Sequence, residues 1–290
     1  MTMVYLNGDY LPLEQARVPV TDRGFVFGDG VYEVIPVYGA HLFRLEQHLV
    51  RLARSLAEIR LANPLSGAEW REVLQSLVAR NGGGDQSVYV QVTRGPAPRD
   101  HAFPKDVQPT VYATSSPLKP LPADLAENGV AAITLDDNRW QRCDIKAITL
   151  LPNILLRQQA VDAGAVEAIL IRDGVITEGA ASNVFMVRGG VLVTPAKGPY
   201  LLPGITRDLI LELAAANHIP HEESSFTVGA LRHADEVWLT SSTREILPVT
   251  RLDQRPVGNG QPGPLWRRMM DLYQAYKQQV RERGVDVAVA

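Results

Sequence analysis

Trp140-Gln141-Arg142-Cys143-Asp144-Ile145-Lys146-Ala147-Ile148 holds the residue around which the chain is read. The protein has five lysines, at 105, 119, 146, 197 and 277. Lys105, Lys119 and Lys197 each adjoin a proline or glycine, as loop residues do. Lys277 lies in a polar segment and reads as a solvated charge. Lys146 alone is bracketed by apolar residues, Ile145, Ala147, Ile148, Leu150 and Leu151. Apolar surroundings disfavour an ammonium, which is what a lysine needs to attack a carbonyl or hold a Schiff base at neutral pH. The competing reading is a lysine that snorkels or pairs with Asp144.

Working outward, the 290 residues suffice for a large core and two domains, with a net charge of -3 and charged residues at 21 %. No run of like charges offers an electrostatic case for nucleic acid or an anionic membrane. The single cysteine, Cys143, rules out an intrachain disulfide and gives no metal cluster, so no metal is expected. The N-terminal residues lack the pattern of a signal peptide, and no apolar run is long enough to cross a bilayer. A soluble, cytoplasmic protein is the expectation.

Asn7-Gly8 between apolar residues predicts a hairpin over Val4 to Leu13. Gly28-Asp29-Gly30 suits a tight turn before a strand running to Tyr38. In that strand Glu33 shares a face with Val31, Ile35 and Val37. A neighbouring arginine is its favoured partner. Leu45, Leu49, Leu52, Leu56 and Ile59 form one helical stripe, with His48 and Arg51 on a shared side. A second helix is expected from Ala68 to Arg80, and strands over Ser87 to Thr93 and Pro109 to Thr114. Pro117-Leu118-Lys119-Pro120-Leu121-Pro122 reads as a spacer. Residues 1–116 are therefore assigned to an N-terminal α/β domain, 117–122 to a linker and 123–290 to a C-terminal α/β domain carrying Lys146. Beyond the linker, helices are expected near Pro152 to Ala163, Thr206 to Ala216 and Trp266 to Arg283. Two hairpins fall over 168–177 and 182–194, and a buried strand over 236–240. The tail after Arg283 should fray.

Two stretches could cradle an anion. Pro203-Gly204-Ile205-Thr206 runs into a helix, whose first N–H groups and positive dipole end suit phosphate. Ser241-Ser242-Thr243 follows a strand and offers hydroxyls. Each is equally a cap or a turn. Arg51 could add a bidentate cation, or be solvated. Glu178, at a strand end before small residues, could hold a ring nitrogen protonated; by itself it reads as a turn residue. Arg99 and His101, on a proline-stiffened loop, could clamp a carboxylate or be scattered loop charges. Together these are the parts of a pyridoxal phosphate enzyme.

The chain resembles the fold-type IV pyridoxal phosphate enzymes, and within them the bacterial D-amino acid aminotransferases. The resemblance rests on Asp22-Arg23-Gly24-Phe25-Val26-Phe27-Gly28-Asp29-Gly30-Val31-Tyr32-Glu33, Gln91-Val92-Thr93-Arg94-Gly95, Arg99-Asp100-His101, Arg142-Cys143-Asp144-Ile145-Lys146, Thr177-Glu178-Gly179 and Gly204-Ile205-Thr206-Arg207-Asp208. It runs from Tyr5 to about Pro248. It implies a two-domain α/β (α+β) fold with pyridoxal 5'-phosphate at the domain interface. It implies that Lys146 attaches the cofactor and shuttles the α-proton, and that Glu178 faces the ring nitrogen. It assigns Arg51, Ile205, Thr206, Ser241 and Ser242 to the phosphate, and Tyr32, Arg99 and His101 to the substrate carboxylate. Arg99 and His101 are expected from the neighbouring subunit of a homodimer. The implied reaction is ping-pong transfer of an amino group between a D-amino acid of the D-alanine type and a 2-oxo acid of the 2-oxoglutarate type.

The sequence departs from the family pattern twice. Ala180-Ala181-Ser182 stands where a serine-rich stretch is usual, and Ala147 replaces a hydroxyl residue after the lysine. Other readings on the same fold are an aminodeoxychorismate lyase and an (R)-selective amine transaminase. A cofactor-binding protein without turnover is the reading from another class.

Overall fold

Asn7 and Gly8, both at positive φ (51° and 109°), turn β1 (Met3–Leu6) back into β2 (Asp9–Pro12), the hairpin that the Asn-Gly pair predicts. The computed structural model describes residues 2–120 and 122–284. It divides into two units. The first takes in the chain up to Lys119, Ile145–Leu150 and the stretch from Gln279; the second takes in Pro120–Asp144 and Leu151–Gln278.

In the first unit, α1 (Arg23–Phe27) precedes β3 (Gly30–Tyr38). Sequence periodicity passes over α1 because five residues carry no helical repeat. What makes it is its cap: Asp22 accepts a hydrogen bond from the Gly24 N–H at 2.7 Å, and Gly28 closes the other end at φ 67°. After β4 (His41–Leu42) come α2 (Leu45–Glu58), α3 (Gly67–Arg80), β5 (Gln86–Thr93) and β6 (Thr110–Pro117). The six strands form one sheet in the order β2-β1-β6-β5-β3-β4. The alternation of β5 turns Val88, Val90 and Val92 into the core and leaves Tyr89 and Gln91 half-buried on the other face. Against the core face lie Leu45, Leu49, Leu52 and Leu56 of α2 with Trp70, Leu74 and Leu77 of α3. Ser66 and Glu69 form a reciprocal capping box at the start of α3.

The lysine segment is counted with this first unit and not with the C-terminal half in which the sequence reading puts it. The reason is backbone pairing. Val31 and Ala147 form an antiparallel bridge, Tyr32 N–H donates to the Lys146 carbonyl at 3.0 Å, and Ile148 N–H donates to the Gly30 carbonyl at 3.1 Å. The proline-rich spacer begins inside β6, at Pro117, and its Leu121 lies outside the described residues. The expected fraying of the tail concerns residues that lie outside them from 285 on.

The second unit opens with α4 (Ala123–Asn128) and β7 (Val130–Asp136). Then follow α5 (Leu151–Asp162), β8 (Glu167–Arg172), β9 (Val175–Gly179), β10 (Asn183–Arg188) and β11 (Val191–Thr194). The chain continues through α6 (Ile205–Ala216), β12 (His221–Glu223), α7 (Val228–Arg232) and β13 (Glu236–Ser241). It ends with β14 (Glu245–Leu252), β15 (Arg255–Pro256) and α8 (Pro264–Arg283). Nine strands make one mixed sheet in the order β12-β11-β10-β13-β14-β7-β8-β9, with β15 on β14. β7 and β8 run parallel, so a crossover must join them, and α5 supplies it. β14 escapes the sequence reading because Pro248 interrupts it; the structure pairs Pro248 with Trp238 inside the sheet all the same. Val184, Val237, Leu239, Leu247 and Val249 fill the core of this unit. Among the described residues, no helix is long and apolar enough to cross a membrane.

Candidate active site

Pairing along β3 decides where Lys146 points. Its backbone is fixed by Tyr32, and its own N–H donates to the Ser55 hydroxyl of α2 at 3.3 Å. The side-chain nitrogen then sits 4.1 Å from the Tyr32 ring centroid, within cation–π range. The apolar bracket read from the sequence is only partly realised. Ile145 is buried, but Leu151 is 65 % exposed. Asp144, the alternative partner, accepts hydrogen bonds from Arg142. Much of the lysine's enclosure therefore comes from β3 and α2, far away in sequence.

Glu33 is fully buried one residue after Tyr32. It has the arginine partner expected of it: Arg51 Nε donates to Oε1 at 2.7 Å and Nη2 to Oε2 at 2.8 Å. His48 Nδ1 lies 2.8 Å from Oε2. Burial alone would raise the carboxyl pKa; the charge and hydrogen bonds of Arg51, with the bond from His48, outweigh it and hold Glu33 well below the usual carboxylate range. Burial pushes His48 down against the pull of Glu33. The Arg51 fork, read as a phosphate ligand, is turned on Glu33 in this structure.

In the second unit Glu178 is the penultimate residue of β9 and is buried. Arg139 Nη1 donates to its Oε1 at 2.6 Å, while the Leu202 N–H (3.0 Å) and Asn183 Nδ2 (3.3 Å) donate to Oε2. Burial pushes Glu178 up to about 7, although the Arg139 charge pulls the other way. Arg139 is divided between two acids, since it also donates to both oxygens of Asp137 at 2.9 and 3.0 Å. Thr177 fixes Asp137 in turn. Sequence reading finds Glu178 but misses Arg139, Asn183 and the Leu202 backbone, because no spacing links them to it. Burial also raises the neighbouring Cys143 thiol to about 11, so it is an inert thiol at neutral pH.

Asn183 connects this acid to the two anion-cradle stretches. It pairs with Thr240 across β10 and β13, and its Oδ1 lies where a Cβ on Gly204 would come, 2.0 Å away. The start of α6 and the end of β13 are thereby gathered at Glu178's end of the sheet. Among the described residues no side chain caps α6, and its first N–H groups have no intrahelical acceptor. Thr206 is buried there. Thr240 Oγ1, next to Ser241, is buried and without a partner among the described residues. An uncapped helix start, an orphaned hydroxyl, flanking serines and an acid of raised pKa fit a phosphorylated, ring-nitrogen ligand. The departure Ala180 is buried and held by backbone, its N–H on the Ala168 carbonyl at 2.9 Å and its carbonyl on Asn153 at 2.8 Å.

Arg99 and His101 come together on one side chain. The Arg99 guanidinium lies 5.3 Å from the Phe27 ring centroid, and the His101 ring lies 5.4 Å from it. Sequence reading includes Phe27 in the stretch that carries the resemblance but gives it no role, since an aromatic beside a glycine turn carries no functional pattern.

The amino-transferase class IV family pattern matches residues 30–252. A D-alanine aminotransferase of Bacillus licheniformis is 44 % identical over 271 residues, covering 93 % of this chain and 95 % of that protein. One from Staphylococcus aureus (strain MW2) is 42 % identical over 277 residues, covering 95 % and 98 %. Among solved structures, an Escherichia coli branched-chain amino acid aminotransferase superposes with a TM-score of 0.89 at 29 % identity, over 94 % of this chain and 93 % of that one. A T.th. branched-chain amino acid aminotransferase with pyridoxamine 5'-phosphate gives 0.90 at 26 % identity, over 97 % and 96 %.

An acid whose pKa rises on folding stabilises the fold below its unfolded value and loses that contribution as pH climbs through the folded one. For Glu178, between the ordinary 4.5 and about 7, the change is worth about 3 kcal/mol. From pH 5 to pH 8 the cofactor-free protein should therefore lose more thermal stability than its Glu178→Gln variant, which lacks this titration. Thermal melts across the range check this; parallel profiles for both proteins would show that Glu178 does not titrate there.

Proposed function

Because the chain belongs to the class IV aminotransferases, we propose that it moves an amino group from a D-amino acid to a 2-oxo acid. The observation that carries the reading is a lysine braced on β3 in a chain that also holds Arg99-Asp100-His101 on a loop of its own and matches D-alanine aminotransferases over nearly its whole length. Pyridoxal 5'-phosphate is the cofactor of this family. When bound, it supplies the electron sink that stabilises the pair of electrons left at the substrate α-carbon.

The chain's own groups do the rest. Lys146 Nζ would hold the cofactor aldehyde and would carry the proton taken from the substrate α-carbon. Tyr32, beneath that nitrogen, steers it and meets the substrate carboxylate. Glu178 would hold the ring nitrogen and share a proton with it; its raised pKa supports that role, and Arg139 keeps its carboxyl in place. Ile205 and Thr206 at the head of α6, with Ser241 and Ser242, take the phosphate. Arg51, oriented by Glu33, adds its positive charge to that task. Arg99 and His101 grip the carboxylate and so select which face of the α-carbon meets Lys146.

A homodimer completes this reading, with Arg99 and His101 serving the neighbouring subunit's site. Exposed apolar side chains support it: Leu151, Ile154 and Leu155 on α5 of the second unit, and Leu13, Val18 and Phe25 in the first. The lack of a membrane-spanning helix among the described residues and the single cysteine support a cytoplasmic enzyme.

Two experiments test this. Holoenzyme mixed with D-alanine should lose the visible absorbance of its bound cofactor, and 2-oxoglutarate should restore it. L-alanine should leave the spectrum alone; bleaching by L-alanine, or by an amine without a carboxylate as fast as by D-alanine, would refute the assignment. For the shared site, Lys146→Ala and Arg99→Ala subunits should complement. A heterodimer keeps one intact site, so statistical exchange should give about a quarter of wild-type activity. Activity no higher than the average of the two parents would place each clamp in its own subunit's site.

A further inference from the structure

Arg23 is an arginine buried to 4 % exposure in a five-residue helix, and its guanidinium faces a loop. Its Nη1 donates to the Asp100 carbonyl at 2.5 Å and to the Ala102 carbonyl at 3.3 Å, and Nη2 donates to the His101 carbonyl at 3.4 Å. One side chain thus holds three consecutive carbonyls of the segment that carries Arg99 and His101. Nε is fixed separately, by Asp29 at 2.8 Å. Asp29 accepts a two-point contact from Arg94 as well, at 2.8 and 3.1 Å, so the anchor is braced where the loop begins.

The loop is also pinched at its neck. Gly95 has φ 94°, and a Cβ there would stand 1.9 Å from the Gln108 carbonyl oxygen. Arg23 N–H donates to the Gly95 carbonyl at 3.0 Å, and Ala97 N–H to the Thr21 carbonyl at 3.2 Å. Thr93 and Thr110, the residues where the two strands flanking the loop end and begin, both donate to Asp22, the cap of α1. Backbone fixation alone would leave two long, polar side chains free to wander. Phe27, one helical turn from Arg23, meets that need. Its ring lies against both the Arg99 guanidinium and the tilted His101 ring, and Arg23 lies 4.8 Å from the same ring.

We propose that Arg23 and Phe27 are positioning residues for the carboxylate clamp. Arg23 sets the backbone of residues 100–102, and Phe27 sets the directions of Arg99 and His101. The proposal rests on the reading of Arg99 and His101 as that clamp. The physical argument is preorganisation: an arginine held in its binding orientation loses less freedom when the carboxylate arrives. α1 then has a task that explains why so short a helix is so heavily bonded.

The test uses holoenzymes carrying Arg23→Gln, Phe27→Leu and Arg99→Ala, singly and with each of the first two combined with the third. A misplaced clamp weakens binding more than chemistry. KM for D-alanine at saturating 2-oxoglutarate should rise about tenfold in Arg23→Gln and in Phe27→Leu, with kcat kept within about threefold and the bound-cofactor spectrum unchanged. In the Arg99→Ala background the same changes should raise KM by about threefold or less, since only His101 is left to misplace. Arg23→Lys, which keeps the charge but not the fork, should recover only part of the loss. If Arg99→Ala raises KM and neither Arg23→Gln nor Phe27→Leu does, the positioning role is wrong while the clamp stands. A full tenfold increase on top of Arg99→Ala would equally overturn it, as a defect independent of the clamp. If Arg99→Ala itself leaves KM unchanged, the clamp reading fails and the proposal falls with it. Should buried Arg23→Gln not fold, half-buried Phe27 carries the same comparison.

Discussion

Two backbone hydrogen bonds, Tyr32 N–H to the Lys146 carbonyl and Ile148 N–H to the Gly30 carbonyl, make residues 145–148 an extra partner for the start of β3. A lysine has four flexible carbon–carbon bonds, and a nucleophile that wanders loses the advantage of proximity. Fastening its backbone to a strand, and resting its nitrogen on Tyr32, removes much of that freedom. The same strand buries Glu33, which fixes Arg51 and His48 of α2. Ser55 of α2 then bonds the lysine backbone. Lysine, aromatic platform, acid and arginine are therefore one connected assembly within the first unit.

The second unit applies the same logic to an acid. Glu178 lies next to the last residue of β9, is buried, and is held by Arg139, Asn183 and the Leu202 N–H. Burial raises its pKa while Arg139 opposes, leaving it near neutrality, where it can share a proton with a ring nitrogen. Arg139 must also serve Asp137, so its charge is not spent wholly on one carboxylate. The uncapped start of α6, which Asn183 ties to the same end of the sheet, is where we propose that a ligand phosphate binds.

Much of this is legible in the chain. Asn7-Gly8, the Leu45 to Leu56 stripe and the alternation of β5 announce their elements through turn chemistry and periodicity. Glu33 reads as buried and arginine-paired from strand alternation alone. Harder to see are α1, too short to be periodic, and β14, disguised by Pro248. Arg139, Asn183 and Phe27 act through three-dimensional neighbours that spacing does not encode. The attachment of the lysine segment to the first unit escapes sequence reading for a related reason. A linker rich in proline marks a boundary along the chain, but pairing with β3 is a contact across more than a hundred residues, from Val31 to Ala147.

One proposed covalent link, from the cofactor to Lys146, carries the rest. Purified holoenzyme should be treated with sodium borohydride, digested and mapped by mass spectrometry. A reduced pyridoxyl phosphate adduct is expected on Lys146, with Lys105, Lys119, Lys197 and Lys277 unmodified. An adduct on any of those four instead, or protein that binds pyridoxal phosphate yet yields no adduct, would contradict the placement of the chemistry on the segment paired with β3.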